Sequence, residues 1–158
     1  AIELKARGRI KDAIGDRGHV NVTSYNRTVL ITGEAPTDAD KAAVGEAIGR
    51  IDNVRGVLNE LIVGPNVSLA EISNDALLTS KVKASFVDAR DIFANAIKVV
   101  TEHGVVFLMG LVTEREAGRA TEVARSVRGV RKVVRAFEII SEEDLARIRA
   151  TGTADAPK

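Results

Sequence analysis

Residues 20–33 recur as residues 97–110, 77 positions later, and this internal repeat constrains the fold more than any other feature of the chain. The likeness is plainest between Val29-Leu-Ile-Thr-Gly33 and Val106-Phe-Leu-Met-Gly110. Beyond that glycine, Thr37, Glu46, Val54, Arg55 and Val57 recur as Thr113, Glu122, Val130, Arg131 and Val133, now 76 positions apart. Self-similarity at a fixed spacing marks a duplicated folding unit. Whatever the first half folds into, the second must fold into as well.

Each copy opens with a helical pattern of residues at i, i+4, i+7 and i+8, the spacing of one helix face, apolar at all but one position. They are Ala6, Ile10, Ala13 and Ile14 in the first copy and Leu78, Val82, Ser85 and Phe86 in the second. The first helix is expected to break at Gly15 and Gly18, and the second to run on through Asp88 toward Asn95. Alternation then predicts two strands around a short turn, Tyr25 to Arg27 in one copy and Glu102 to Gly104 in the other. Thr37-x-x-Asp40 and Thr113-x-x-Glu116 carry the spacing of a helix N-terminal capping box. A last strand alternates Val57, Asn59, Leu61 and Val63, matched by Val133, Arg135, Phe137 and Ile139. The class is therefore α+β, with two tandem α-β-β-α-β units whose helices pack on one face of a small mixed sheet. The expected division is 1–63, a turn-rich linker over 64–76 that includes Ser73-Asn74-Asp75, a second unit over 77–140, and a C-terminal helix and frayed tail over 141–158. Ser141 is the expected cap of that short helix.

Chemistry is sparse. The 158 residues contain no cysteine and two histidines, which removes disulfide frameworks, thiol nucleophiles and thiolate metal sites. There is no nucleophile elbow, phosphate-binding glycine loop or paired-histidine zinc motif. Asp38-Ala-Asp40 begins like a calcium loop, but its sixth position is Ala43 and its twelfth Gly49, so both acids read as helix-start residues. His19 and His103 read as solvated loop side chains. No catalytic residue, metal or cofactor is expected. A net charge of +1 and 3% aromatic content, with no Trp, give no basis for nucleic-acid binding.

Charge separates the two copies. Residues 4–63 hold nine Lys/Arg against eight Asp/Glu, and residues 77–140 hold eleven against seven. Part of that surplus, Arg125, Arg128, Arg131, Lys132 and Arg135, reads as a solvated face with cations complementing a helix end. The second copy's first helix is less ordinary. At about 100° per residue, Leu78, Val82 and Phe86 share the core face. Leu77, Ser80, Ala84 and Val87 fall on the outer half, bracketed by Lys81 and Lys83. Small apolar groups between lysines suit an anionic lipid surface. The same pattern would also serve if Leu77 and Val87 faced the other half of the chain.

The duplicated topology, its strand-end glycines and the final strand Val57-Leu-Asn59-Glu-Leu61-Ile-Val63 resemble the BON domain. Ser73-Asn-Asp75, Thr79-Ser-Lys81-Val82 and, above all, the stretch from Val106 to Ala117 are similar to dual-BON outer-membrane lipoproteins of Gram-negative bacteria. The resemblance covers about residues 1–140. It implies a non-enzymatic protein on the periplasmic side of the outer membrane, held by an N-terminal lipidated cysteine upstream of Ala1. It also implies a role in envelope integrity, envelope protein partners, and binding of anionic phospholipid through the helix carrying Leu77, Ser80, Lys81, Lys83, Ala84 and Val87. That family tends to carry Trp where this chain has Leu77. A second reading is a soluble periplasmic osmotic-stress BON protein with a chaperone-like role and no membrane contact.

Overall fold

Each repeat turns its hairpin on two consecutive residues with positive φ: Asn26 and Arg27 (46° and 64°) in the first copy, His103 and Gly104 (55° and 74°) in the second. Two-residue connections of this hand match the right-handed twist of the strands they join. The structure is a computed structural model and describes residues 1–151. The chain divides into two compact units, residues 1–68 and the residues from Leu69 onward.

In the first unit, α1 (Ile2–Ile14) is followed by β1 (His19–Tyr25) and β2 (Thr28–Ala35), which pair antiparallel. α2 (Asp38–Gly49) crosses over and returns the chain as β3 (Gly56–Asn59) and β4 (Ile62–Val63), both parallel to β2. Ala6 and Ile14 of α1, Val29 and Ile31 of β2, and Val44 and Ile48 of α2 form one buried cluster. Both helices therefore lie on the same face of a mixed sheet.

The second unit repeats this order. α3 (Leu69–Asp88) precedes the antiparallel pair β5 (Lys98–Glu102) and β6 (Val105–Val112), and α4 (Glu114–Ser126) leads to β7 (Lys132–Ile139), parallel to β6. Val82 and Phe86, Val106 and Leu108, and Ala120 and Ala124 build its core. α5 (Glu142–Ala150) follows, with the Ser141 hydroxyl accepting from the Asp144 amide. The tail expected to fray falls, from residue 152 on, outside the described residues.

The repeated glycines owe their place to backbone proximity. Gly33 and Gly110 have φ of 114° and 154°, and a Cβ on either would collide with a carbonyl oxygen of the preceding chain, His19 O in one copy and Ala96 O in the other. Those two contacts are themselves 77 residues apart. The duplication thus preserved a backbone contact as well as a pattern.

Three expectations need correction. The helix expected to open at Leu77 starts at Leu69, two turns earlier, so residues 69–76 of the expected linker are helical. Ser73, Asn74 and Asp75 resemble turn residues, yet the Asp75 carboxylate is spent on another element, as described below. The same helix stops at Asp88 instead of running toward Asn95. Ile92 folds back into the core there, and Ala94–Ala96 form one 3-10 turn. The last strand of the first unit is interrupted at Glu60 and Leu61: the Asn59 side chain donates to Lys41 O (2.9 Å) and Leu61 is buried. Register with β2 is kept on both sides of the break.

The two helix caps also differ. Both threonine hydroxyls accept from the amide three residues on, but only Glu116 returns the bond, to the Thr113 amide at 3.1 Å. Asp40 pairs with Arg17 instead, at 3.2 Å.

Candidate functional site

α3 spans 20 residues, about 30 Å at 1.5 Å per residue. Its inward face is Asp75, Leu78, Val82 and Phe86, each at most 5% exposed. Burying three such apolar side chains contributes roughly 1.5–3 kcal/mol apiece. That burial fixes which face remains outside.

Two polar contacts pin the helix rotationally. The Asp75 carboxylate accepts from the His103 and Gly104 amides, both at 2.9 Å, and so satisfies the two donors of the β5–β6 turn. The Thr79 hydroxyl meets the Thr101 hydroxyl of β5 at 2.8 Å. With its core side chains buried and its flank bonded to the hairpin, α3 cannot roll to hide its outer surface.

All six residues singled out on the outer face are exposed: Leu77, Ser80, Lys81, Lys83, Ala84 and Val87. Leu77 is 52% and Val87 73% exposed, so neither serves the core. The Ser80 hydroxyl donates back to Ala76 O at 3.2 Å, which leaves the middle of the stripe with little unmet polarity. Lys81 and Lys83 flank the stripe on opposite sides. Neither has a carboxylate partner among the described residues.

The earlier helix start adds residues that periodicity from Leu77 could not reach. Leu69, 83% exposed, and Ile72, 38% exposed, lengthen the apolar surface by two turns. At the other end, Val87 borders a shallow groove lined by Lys83, Phe86, Ala94, Asn95 and Ile97. The corresponding helix of the first unit is different. Outside its core face, α1 exposes one large apolar side chain, Leu4, among Lys5, Arg7, Arg9 and Lys11.

The histidines are less freely solvated than expected, and only His103 lies in a loop. His19 is the first residue of β1, and its Nδ1 lies 3.0 Å from Oε1 of the buried Glu34. His103 is in the β5–β6 turn with Nδ1 3.8 Å from Glu71. Each ring faces a carboxylate.

The second unit also holds a network that sequence reasoning did not find. Arg149 of α5 donates to Glu116 at 3.0 Å and stacks over the Phe93 ring at 4.4 Å. Arg115 meets Glu142 at 3.0 Å and Arg119 meets Asp91 at 2.7 Å. The Arg119 hydrogen bond holds the Asp91 carboxyl below its ordinary range, and the Arg115 bond does the same for Glu142. These pairs join separate elements around the start of α4, and only their charge signs, not their partners, are visible in the sequence.

Two hairpin-plus-crossover units, each with a helix before and a helix within, and a Thr cap and strand-end glycine at equivalent places, define the class. The BON domain profile matches residues 2–65 and again 74–141, and the chain belongs to the BON-domain family as a tandem member. Over 143 residues it is 41% identical to the outer membrane lipoprotein DolP of Haemophilus influenzae, covering 88% of this chain and 73% of that protein. A 21 kDa hemolysin of Actinobacillus pleuropneumoniae is 36% identical over 132 residues, 82% of this chain and 68% of the relative. The resemblance to dual-BON lipoproteins seen in the residues is thereby borne out.

Proposed function

We propose that this tandem BON protein acts without catalysis at the periplasmic side of the outer membrane, where it binds anionic phospholipid through α3 and supports envelope integrity. The observation that carries the reading is the exposed stripe of Leu69, Leu77, Ala84 and Val87 on a helix whose opposite face is locked into the core. Lys81 and Lys83, which have no carboxylate partner among the described residues, lie at its borders. Apolar groups enter the acyl boundary while ammonium groups meet lipid phosphates, the arrangement of an interfacial helix. Among the described residues no helix is long and apolar enough to cross a membrane. The likeness to a protein named for the outer membrane supports this compartment.

Vesicle co-sedimentation tests this. Each cation near an anionic surface contributes about 1 kcal/mol at modest ionic strength, so Lys81→Glu/Lys83→Glu should weaken binding to phosphatidylglycerol-rich vesicles roughly tenfold or more. Neither side chain is in the core, so circular dichroism should be unchanged. Parent-like binding by the folded double variant at low salt would remove α3 as the lipid site and favour a soluble interaction module.

A further inference from the structure

Arginines of the second unit sort by position. Arg115, Arg119, Arg135 and Arg149, near the start of α4, each lie within 3.0 Å of a carboxylate. At the other end of α4 and the start of β7, Arg125, Arg128 and Lys132 are exposed and have no such partner among the described residues. A helix C-terminus accounts for one cation in its last turn, Arg125. It does not account for Arg128 and Lys132 beside it.

This corner lies against α3. Gly129, with φ of 100°, approaches so closely that a Cβ there would come within 2.9 Å of Leu78 Cδ2. Arg128 is the adjacent residue. Lys81 lies three residues after Leu78, about 60° around the helix from it, whereas Lys83 lies about 140° away on the other flank. Arg131 is already engaged, donating to His103 O at 3.2 Å.

Resting on the α3 reading, we propose that Arg125 and Arg128 extend the lipid-binding surface, forming with Lys81 a cationic row that meets phosphates of an anionic bilayer alongside the apolar stripe. The stripe then has cations on both borders, with the wider band on the α4 side. Clustered guanidinium groups suit phosphate oxygens, which they engage through paired N–H donors. Neither arginine is paired with a carboxylate among the described residues, which leaves those donors available.

The test compares three variants of the full chain on vesicles of phosphatidylglycerol and phosphatidylcholine: Arg125→Gln/Arg128→Gln, Lys81→Gln/Lys83→Gln, and Arg7→Gln/Arg9→Gln as a control on α1. The first should weaken binding roughly tenfold at low salt, flatten its salt dependence, and leave the fold intact by circular dichroism. The α1 control should bind as the parent does. If the arginine variant binds normally while the lysine variant loses affinity, the corner is outside the lipid contact and only the α3 reading stands. If neither loses affinity, both fail. Inorganic phosphate should displace the protein no better than chloride at matched ionic strength; selective displacement would make the corner a site for free phosphate and overturn the proposal.

Discussion

Replacing Asp75 with Ala removes the carboxylate that holds α3 to the β5–β6 turn. Asp75 is 5% exposed and accepts from two main-chain amides, His103 and Gly104, at 2.9 Å each. A hydrogen bond to a charged group is worth about 1.5–3 kcal/mol, and leaving a buried donor unmet costs a similar amount. Because both bonds share one carboxylate they are not additive. The expected loss is about 2–4 kcal/mol in the second unit, larger than a surface substitution and comparable to truncating Val82. Asp75→Asn keeps one oxygen as acceptor and should lose about half of that. Hydrogen exchange at the two turn amides isolates the effect: both should exchange much faster in Asp75→Ala, together with a lower urea midpoint for the second unit. The outer stripe of α3 should lose its fixed orientation at the same time, weakening lipid binding although no exposed residue has changed. A loss below about 0.5 kcal/mol, the usual range for surface changes, with turn amides protected as in the parent, would refute this account of Asp75.

Arg27 occupies a left-handed conformation that its counterpart, Gly104, accepts without strain, so Arg27→Gly should stabilise the first unit by about 0.5–1 kcal/mol in chemical denaturation. Gly33→Ala and Gly110→Ala each force a Cβ against a carbonyl oxygen and should cost about 2 kcal/mol or more, read as a lower melting temperature of the affected unit. Asp91 and Glu142 have lowered pKa values in the fold. Their contribution is present above the unfolded-state pKa and lost as pH falls through the folded one. Carboxyl carbon NMR should show Arg119→Gln returning Asp91 toward its ordinary titration range while Glu142 stays low.

Periodicity and duplication made the α-β-β-α-β order legible because each element buries a repeating set of positions. The outer face of α3 was legible for the same reason: once Leu78, Val82 and Phe86 are taken by the core, the remaining positions have nowhere else to point. The start of α3 was not. Ser, Asn and Asp favour turns through local bonds to their own backbone, but the Asp75 carboxylate reaches across to a hairpin 28 residues away, and that long-range bond leaves the helix free to continue. Leu69 and Ile72 were missed as a direct result. The histidine partners and the Arg149–Glu116 pair were hidden for a related reason, since ion pairs between distant elements leave no periodic trace. The cations of the α4–β7 corner, unpaired among the described residues, became distinct from their neighbours only when the pairing of the others was seen.

The central claim is that α3 presents its outer face to anionic lipid, and its most direct test is solution NMR with bicelles of phosphatidylglycerol carrying a paramagnetic headgroup label. Relaxation enhancement should concentrate at the amides of Leu77, Ser80, Ala84 and Val87, be weaker on the buried side of the helix, and be absent from α1. It should fade when phosphatidylcholine replaces the anionic lipid. Enhancement centred on the first unit, or spread evenly over the folded protein, would contradict the account.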